Sequence, residues 1–403
     1  MQTATIAKPF DFKFLSAVSI IVGTSIGAGM LGLPVETARG GFLPAICLFL
    51  LTWFISISSG LLFSEVLLTK PAGSNYISLG KNILGEKIKF AIFFFYILLF
   101  FSLIVAYTKG IGVLFSHDFA LVSAPWHGSL LFILLFLPLM FFGTHLIGKV
   151  NGLLTFILLT SFILLISIGT QNISFTHFAP KNWSLSLFSI PLMISSFGFH
   201  GTLPSLIDYL DRDRKKIQKS IVLGCTITLL IYLVWEFFIL GSIPLHGEIS
   251  LTSAWMKDET AISPMSQLLK NPLIWNLAHI FSLTAIITSF FGVSIGLTDF
   301  LIDAFQISQN RNTRILLLSS VYLSALLLSM TELRVFYLSL NYGAGIAGTF
   351  LLIFLPALMA FKSNQIEEER LFLIARKKAL PLIFLFSAIS VVSCILSFFR
   401  YTE

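Results

Sequence analysis

Two stretches of the chain match the Gly-x-Ser-x-Gly pattern of serine nucleophiles, namely residues 23–27 (Gly-Thr-Ser-Ile-Gly) and residues 292–296 (Gly-Val-Ser-Ile-Gly). That chemistry needs a strand, a sharp turn and a helix around the serine. Both stretches lie inside long apolar segments, and no strand pattern precedes either of them. The sequence therefore argues against a hydrolase and predicts that the protein is not an enzyme.

The first of these stretches belongs to a glycine-rich run, residues 22–34, which reads Val-Gly-Thr-Ser-Ile-Gly-Ala-Gly-Met-Leu-Gly-Leu-Pro. Each glycine in a helix interior costs about 1 kcal/mol relative to alanine, and hydroxyl side chains offer the backbone competing hydrogen bonds. Free backbone groups are tolerated inside a membrane only where they are buried in protein or line a cavity. The run thus predicts a broken membrane span and a binding site, although its Gly-x-x-x-Gly spacing is also a common helix-packing face.

A second weakened segment, residues 190–206, helps to decide between a binding site and a helix-packing face. Ser195, Ser196, Gly198 and Gly201 interrupt its apolar run, and Pro204 follows them. Two interrupted spans that lie five spans apart are expected from an inverted repeat of five plus five helices. The pair favours a binding site over simple helix packing.

The two breaks would offer complementary charges. Amides at residues 27–29 would face an anion, while carbonyls freed near Ile21, Val22 and Ser195 would face a cation. A zwitterionic amino acid satisfies both demands. The predicted substrate site comprises Gly23, Thr24, Ser25, Gly27, Ala28 and Gly29 from the first break and Ser195, Phe197, Gly198, Phe199 and His200 from the second, whose rings would hold an aromatic side chain.

Ionisable residues deep in apolar spans are costly and point to function. His200 is the first candidate proton carrier because the unperturbed pKa of imidazole lies nearest neutrality; a partner for a substrate hydroxyl and a structural hydrogen bond are the alternatives. Glu236 in the seventh span is the second candidate, and Glu65 lies near the inner end of the second; either one could instead belong to a fixed network. Asp299 and Asp303 are expected to face water or an inner gate.

The composition identifies a polytopic membrane protein, since 56% of the residues are hydrophobic and 11% are charged. The apolar segments lack the alternation of barrel strands, so they are predicted to be helices. The eleven predicted spans cover residues 14–36, 42–68, 88–115, 128–147, 149–170, 186–207, 218–243, 272–302, 314–331, 334–361 and 379–399. All three cysteines (Cys47, Cys225 and Cys394) fall within spans, so neither a disulfide framework nor a metal site is predicted, and no cofactor is expected.

The positive residues orient the chain. With the N-terminus inside, 19 of the 26 Lys and Arg residues fall on the cytoplasmic side and 7 fall outside. The net charge of +7 is therefore a topology signal and does not indicate a nucleic-acid partner.

The outer segment 245–271 is expected to cap the outer vestibule with a short helix. The predicted units are a cytoplasmic tail (1–13), a first five-helix repeat (14–170), an outer loop (171–185), a second repeat (186–362), a cytoplasmic loop (363–378), and the eleventh span with an outer C-terminus (379–403).

Three ordered motifs resemble the bacterial aromatic amino acid permeases, the group specific for tyrosine and tryptophan. They are residues 23–34, residues 196–206 and residues 288–300 (Thr-Ser-Phe-Phe-Gly-Val-Ser-Ile-Gly-Leu-Thr-Asp-Phe), and residues 232–236 (Tyr-Leu-Val-Trp-Glu) are similar too. The resemblance covers nearly the whole chain. It implies the amino acid, polyamine and organocation transporter fold, which is leucine-transporter-like, and proton-coupled uptake across a bacterial inner membrane.

Carried over to this sequence, the resemblance implies that residues 27–29 hold the substrate carboxylate and residues 195–199 line its amino group and ring. Thr288 and Ser289 match the face that ligates an ion in sodium-coupled relatives of the fold, with hydroxyl packing between helices as the alternative.

The predicted function is import of an aromatic amino acid, tyrosine first, by proton symport. A tryptophan-specific or broad aromatic permease is the alternative, and a membrane amino-acid sensor is the alternative from another class. A primary pump is excluded in this chain, which has no Gly-x-x-x-x-Gly-Lys-Ser/Thr loop. The expected partners are the amino acid, protons and the lipid bilayer, and the oligomeric state stays open.

Overall fold

The computed structural model describes residues 11–138, 144–305, 311–331, 334–363, 370–371 and 374–401. The described chain is almost entirely helical, because backbone groups in lipid must find their hydrogen-bond partners inside one segment. The helices of the first half are α1 (Phe12–Ser25), α2 (Ala28–Thr37), α3 (Phe42–Leu68), α4 (Tyr76–Leu84), α5 (Ile88–Val113), α6 (Pro125–Phe136) and α7 (Thr144–Gly169).

The second half adds the helices α8 (Trp183–Ser186), α9 (Ile190–Ser196), α10 (Leu203–Tyr209), α11 (Arg214–Ser242), α12 (Leu251–Met256), α13 (Ile262–Leu268), α14 (Pro272–Ala304), α15 (Arg311–Ser329), α16 (Val335–Leu338), α17 (Gly345–Gly348), α18 (Leu355–Lys362) and α19 (Arg376–Tyr401). Shorter turns complete both halves. They are the 3₁₀ turns Thr170–Asn172, Phe175–Phe178, Leu187–Ser189 and Phe199–Thr202 and the π-helical turns Leu114–Asp118, Ser339–Ala344 and Thr349–Phe354. An antiparallel pair, β1 (Arg370–Leu371) and β2 (Ile374–Ala375), precedes α19.

Nine helices within the described residues are long and apolar enough to cross a membrane, and the bent pair α1 and α2 makes ten. The remaining predicted span, residues 128–147, overlaps the 12-residue helix α6 and residues 139–143, which lie outside the described part. Most of the predicted tail 1–13 and half of the loop 363–378 also lie outside it, as does the side chain of Asp303.

The broken spans lie at the centre of the bundle. α11 packs against α1 and α3, α14 packs against α5 and α7, and α9 packs against α2 and the π-helical part of the tenth span. The apolar core is continuous through these contacts and includes residues of α1, α2, α3, α9, α11 and α14. The interrupted segments are therefore held between long unbroken helices.

Candidate functional site

The first break separates α1 from α2 at two residues. Ile26 has an extended backbone (φ −78°, ψ 105°), as does Gly27 (φ −156°, ψ −160°), and the axes of the two helices differ by 53°. The hydroxyls of Thr24 and Ser25 donate back to carbonyls of the preceding turn, at 2.6 and 3.0 Å. Such bonds compete with continuation of the helix. The break lies where the glycine-rich run predicts it.

Glycine is required at this break because other spans approach its backbone closely. A Cβ at position 27 would overlap the Ser289 hydroxyl of α14, and a Cβ at position 29 would come within 2.6 Å of the Ser196 Oγ of α9. Position 23 differs, since a Cβ there would meet no atom of the described residues within 4 Å. Gly27 and Gly29 therefore let α14 and α9 contact the backbone of the first span.

Free polar groups remain at this break. The Met30 amide donates to the Gly27 carbonyl at 3.0 Å, but no backbone acceptor in the described residues takes the amides of Ala28 and Gly29. The first amides of a helix lack intrahelical partners and carry its positive dipole end. On the other side of the break, the Ile26 carbonyl lies 3.5 Å from the Ser289 hydroxyl. The break thus presents donors and acceptors within a few residues.

The second break begins where α9 ends at Ser196. Phe197 (φ −86°, ψ 29°) and Gly198 (φ −77°, ψ 37°) leave the helical conformation, a 3₁₀ turn follows, and α10 starts at Leu203. A Cβ at Gly198 would lie 2.7 Å from the Ser195 carbonyl, so the turn is too tight for a larger residue.

A cavity of about 620 Å³ lies against both breaks. Its size falls in the range of about 300 to 1,000 Å³ that is usual for small-molecule sites. Nine of the predicted site residues line it, namely Gly23, Thr24, Ser25, Gly27, Gly29, Ser195, Gly198, Thr288 and Ser289. The structure therefore brings backbone and hydroxyl groups of spans 1, 6 and 8 together around one space.

Five other predicted site residues are buried behind the cavity and are not among its described lining: Ala28, Phe197, Phe199, His200 and Glu236. The Phe197 ring packs edge-on against Tyr232, with centroids 5.2 Å apart, and the Phe199 ring lies 4.3 Å from that of His200. Because these rings are buried among core side chains, Ser195 and Gly198 line the cavity at the second break and the rings do not.

The two candidate proton carriers have different surroundings. The His200 ring lies against the backbone of Ser56, but neither ring nitrogen makes a hydrogen bond of normal geometry within the described residues. Glu236 lies on α11, and its Oε2 accepts a bond of 2.8 Å from the Thr37 hydroxyl at the end of α2. Its Oε1 has no partner in the part of the chain that is described.

The remaining acidic candidates are engaged elsewhere. The Glu65 carboxylate accepts bonds from Arg214 at 2.8 Å and from Gln218 at 2.9 Å, near the start of α11. Asp299 pairs with Arg314 between α14 and α15. Both belong to ion pairs that join helices, and neither lines the cavity.

Sequence reasoning missed one wall of the cavity, which comes from α5. Tyr96, Phe100, Leu103 and Tyr107 line it. Their spacing of four, three and four residues places them on one helical face. That periodicity was the available signal, but an aromatic stripe in an apolar helix is equally typical of core packing. Polar side chains further along the cavity are Tyr76, Asn151, Thr155 and Thr202.

The cavity extends toward one side of the bundle. Its lining includes Ser19 in the first half of α1, Asn151 near the start of α7, Thr202 after the second break and Gly296 near the end of α14. These positions all lie on the side where the described chain begins. Thr24 and Gly292 are exposed there. The cavity is therefore reached from the N-terminal side.

The opposite side is covered by the segment 245–271, which contains α12 and α13. Trp255 of α12 donates its indole N–H to Glu36 of α2 at 3.0 Å. The guanidinium groups of Arg39 and Arg334 lie over the Trp255 ring, 4.5 and 3.8 Å from its centroid. We call these four side chains the tryptophan lock, since they fasten the segment 245–271 to the first and tenth spans.

Asp258 adds a second attachment on the same side. Its carboxylate accepts the amides of Phe336 and Tyr337, at 2.8 and 3.1 Å, where the tenth span begins. Burial raises the pKa of Asp258 to about 6, although the two amides and the charges of Lys109 and Arg334 act in the opposite direction. The backbone of Asp258 is left-handed (φ 59°), a conformation that aspartate tolerates better than most residues.

An apolar helical bundle in which two interrupted spans surround a cavity open to one side is the architecture of a membrane transporter. The comparisons identify which kind. Residues 11–395 match the sequence model of the tryptophan/tyrosine permease family, and the chain belongs to that family.

Two relatives and one solved structure illustrate the likeness. A tryptophan-specific transport protein of Haemophilus influenzae is 29% identical, with 88% of each chain covered. The tyrosine-specific transport system 1 of the same organism is 28% identical over 88% of this chain and 89% of its own. A crystal structure of a manganese transporter mutant from Eremococcus coleocola has a TM-score of 0.67 at 12% identity, covering 98% of this chain and 91% of that one, and shows the fold alone.

Proposed function

We propose that the protein is a secondary active transporter that imports an aromatic amino acid, most readily tyrosine, together with protons across the inner membrane of a bacterium. The observation that carries this proposal is the cavity at the two breaks, where the first amides of α2 have no backbone acceptor among the described residues and lie close to the ends of α1 and α9. Membership of the tryptophan/tyrosine permease family supports the substrate class. Similarity to a tyrosine-specific relative supports tyrosine as the first candidate substrate. Similarity to a tryptophan-specific relative supports tryptophan as the alternative.

We infer a leucine-transporter-like arrangement of five plus five inverted helices with an eleventh after them. The two breaks lie in the first and sixth predicted spans, as such a repeat requires. The N-terminus is proposed to lie in the cytoplasm and the C-terminus outside, because most Lys and Arg residues then face the cytoplasm. With that orientation the cavity opens inward, while the tryptophan lock closes the outer side.

For the substrate we propose a pose with three contacts. The carboxylate faces the amides at residues 27–29, and the amino group faces the carbonyls near Ser195. The ring lies along the α5 face that includes Phe100 and Tyr107, where stacking and edge contacts hold an aromatic group. Phe197, Phe199 and His200 serve as the layer that fixes the position of the second break.

Proton coupling is proposed to act through His200 or Glu236, the first and second candidates from the sequence. The Glu236 carboxyl accepts a hydrogen bond from Thr37, the last residue of α2. A change in its protonation would therefore alter how α11 holds the outer half of the first span. Thr288 and Ser289 complete the polar wall on α14, and Ser289 contacts the first break.

The test of the substrate class is competition uptake into proteoliposomes. Labelled tyrosine is offered under an inward proton gradient, a sodium gradient or neither, with unlabelled tyrosine, tryptophan, phenylalanine or leucine as competitors. We expect saturable uptake that needs the proton gradient and is inhibited by the aromatic amino acids only. Uptake that ignores the proton gradient would refute symport. No aromatic uptake by correctly inserted protein would refute the proposed function.

The test of the proton carrier compares net uptake with exchange. Glu236→Gln keeps the shape of the side chain but cannot ionise, so it should exchange labelled for unlabelled tyrosine while losing proton-driven accumulation. His200→Gln is the parallel variant. If both variants accumulate tyrosine as the wild type does, neither residue carries the proton.

A further inference from the structure

Tyr232 connects the two breaks through one hydroxyl group. This residue of α11 is fully buried, and its hydroxyl oxygen lies 2.6 Å from the Ser25 carbonyl and 2.7 Å from the Ser196 carbonyl. Ser25 is the last residue of α1 and Ser196 the last residue of α9. The hydroxyl therefore reaches both broken spans at the points where their first segments end.

Neither carbonyl has a donor within its own helix, because α1 ends at Ser25 and α9 ends at Ser196. The last carbonyls of a helix have no intrahelical donor. A buried carbonyl without a partner destabilises the fold, so each of the two needs a donor or water. The Tyr232 ring is held beside them by its edge contact with Phe197 and by Phe49, whose centroid lies 6.0 Å away.

The hydroxyl has one proton for two acceptors. A phenol donates a single hydrogen bond, so both carbonyls cannot receive a full bond from Tyr232 at once. Two acceptors at nearly equal distances share the proton. A small separation of α1 from α9 thus leaves the proton with one helix, and the other carbonyl must find a new donor.

We propose that Tyr232 is a positioning residue for transport, whose shared proton holds the ends of α1 and α9 together while the cavity is open to the N-terminal side. This inference rests on the proposed transport cycle, in which closing that side moves α1 relative to α9. The bond stabilises the open arrangement, and its single proton lets one helix leave without breaking two full bonds.

The test measures how accessible the cavity is, with no substrate present. The reporter is Gly152→Cys, which places a thiol on the cavity wall where a Cβ meets no atom within 4 Å in the part of the chain that is described. The exposed Cys47 is replaced by serine, and the other two cysteines are buried. Reaction of the reporter with a membrane-impermeant maleimide is followed in inside-out vesicles that contain the full chain.

Removing the hydroxyl should close the cavity more often. We expect Tyr232→Phe to lower the labelling rate about five- to tenfold, the factor that one buried hydrogen bond can supply. The matched control is Tyr322→Phe, which removes a buried phenol beside Ser294 that joins neither broken span. A Tyr232→Phe rate equal to that of the Tyr322→Phe control would overturn the proposal.

A second variant adds a proton in place of removing one. Replacement of Tyr232 by 4-aminophenylalanine supplies two N–H donors, so both carbonyls receive a full bond. We expect labelling at or above the wild-type rate together with several-fold slower net uptake, because leaving the open state then breaks two bonds. Should Tyr232→Phe fail to fold, this variant decides alone, and uptake at the wild-type rate would contradict the shared-proton account.

The labelling result is separable from the proposed function, because no amino acid is added. If the wild type fails to transport aromatic amino acids but Tyr232→Phe still slows labelling relative to its control, the positioning role stands and the substrate assignment falls. If the wild type transports tyrosine and the two variants label alike, the assignment stands and the positioning role falls.

Discussion

The indole of Trp235 replaces a hydrogen bond that Pro34 removes from α2. Proline has no N–H, so the Met30 carbonyl, four residues before it, lacks its helical donor. The indole N–H of the buried Trp235 donates to that carbonyl at 2.9 Å. We predict that Trp235→Phe is costly in the wild type and much less costly in a Pro34→Ala background, because the substituted alanine restores a backbone donor.

The size of the effect follows from the two states of the carbonyl. Trp235→Phe leaves it buried and unpaired, which costs about 1 to 3 kcal/mol. In the Pro34→Ala background the carbonyl keeps a partner, and the smaller ring costs the same in both backgrounds. The double-mutant cycle should therefore give a coupling free energy of about 1 to 2 kcal/mol.

The assay is reversible unfolding in mixed detergent micelles with increasing dodecyl sulfate, followed by tryptophan fluorescence and circular dichroism. Trp53→Phe is the matched control, since the Trp53 indole N–H is buried and has no hydrogen-bond partner among the described residues. Its coupling to Pro34→Ala should stay within about 0.5 kcal/mol. Equal costs of Trp235→Phe in the two backgrounds would refute the reasoning.

Three further predictions concern the break and the outer side. Gly27→Ala should reduce tyrosine uptake at least tenfold, because the new methyl overlaps the Ser289 hydroxyl, whereas Gly152→Ala, whose Cβ meets no described atom within 4 Å, should reduce uptake far less. Asp258→Asn should remove a pH dependence of outer closure: burial raises the pKa of Asp258 from 3.8 to about 6, so closure is strongest below about pH 4 and weakens as the pH rises through 6. Trp255→Leu should raise labelling of a cavity cysteine from the outer side about tenfold, because the hydrogen bond to Glu36 and two cation–π contacts are lost.

Each of these has a contradicting result. Equal uptake by Gly27→Ala and Gly152→Ala would show that α14 can move away from the first break without loss of transport. Outer labelling that changes with pH equally in the wild type and in Asp258→Asn would assign the titration to another group. Outer labelling that Trp255→Leu leaves unchanged would show that the tryptophan lock does not hold the outer side closed.

The breaks themselves were predictable from the sequence because they are local. Glycines, hydroxyl side chains and a following proline weaken a helix wherever the segment lies, and Ile26, Gly27, Phe197 and Gly198 leave the helical conformation inside the two predicted stretches. The apolar lengths likewise fixed most of the spans, since a helix must match the thickness of the bilayer.

The directions of side chains were not predictable in the same way. The sequence places Phe197, Phe199 and His200 beside a break, but the backbone of the 3₁₀ turn decides which of them face the cavity, and the rings face the core. The position of Tyr107 on the cavity wall depends on how α5 packs against the first break. Such long-range packing leaves no signal in one sequence beyond a helical stripe that any buried face would show.

The central claim is that the cavity at the two breaks holds the transported amino acid. The most direct measurement is substrate protection of a thiol at Ser195→Cys, a near-isosteric change on the cavity wall, with Cys47 replaced by serine. We predict that tyrosine slows its maleimide labelling with a half-maximal concentration equal to that for uptake, and that leucine has no effect. Saturable tyrosine uptake by this variant with labelling that tyrosine leaves unchanged would place the substrate elsewhere and contradict the account.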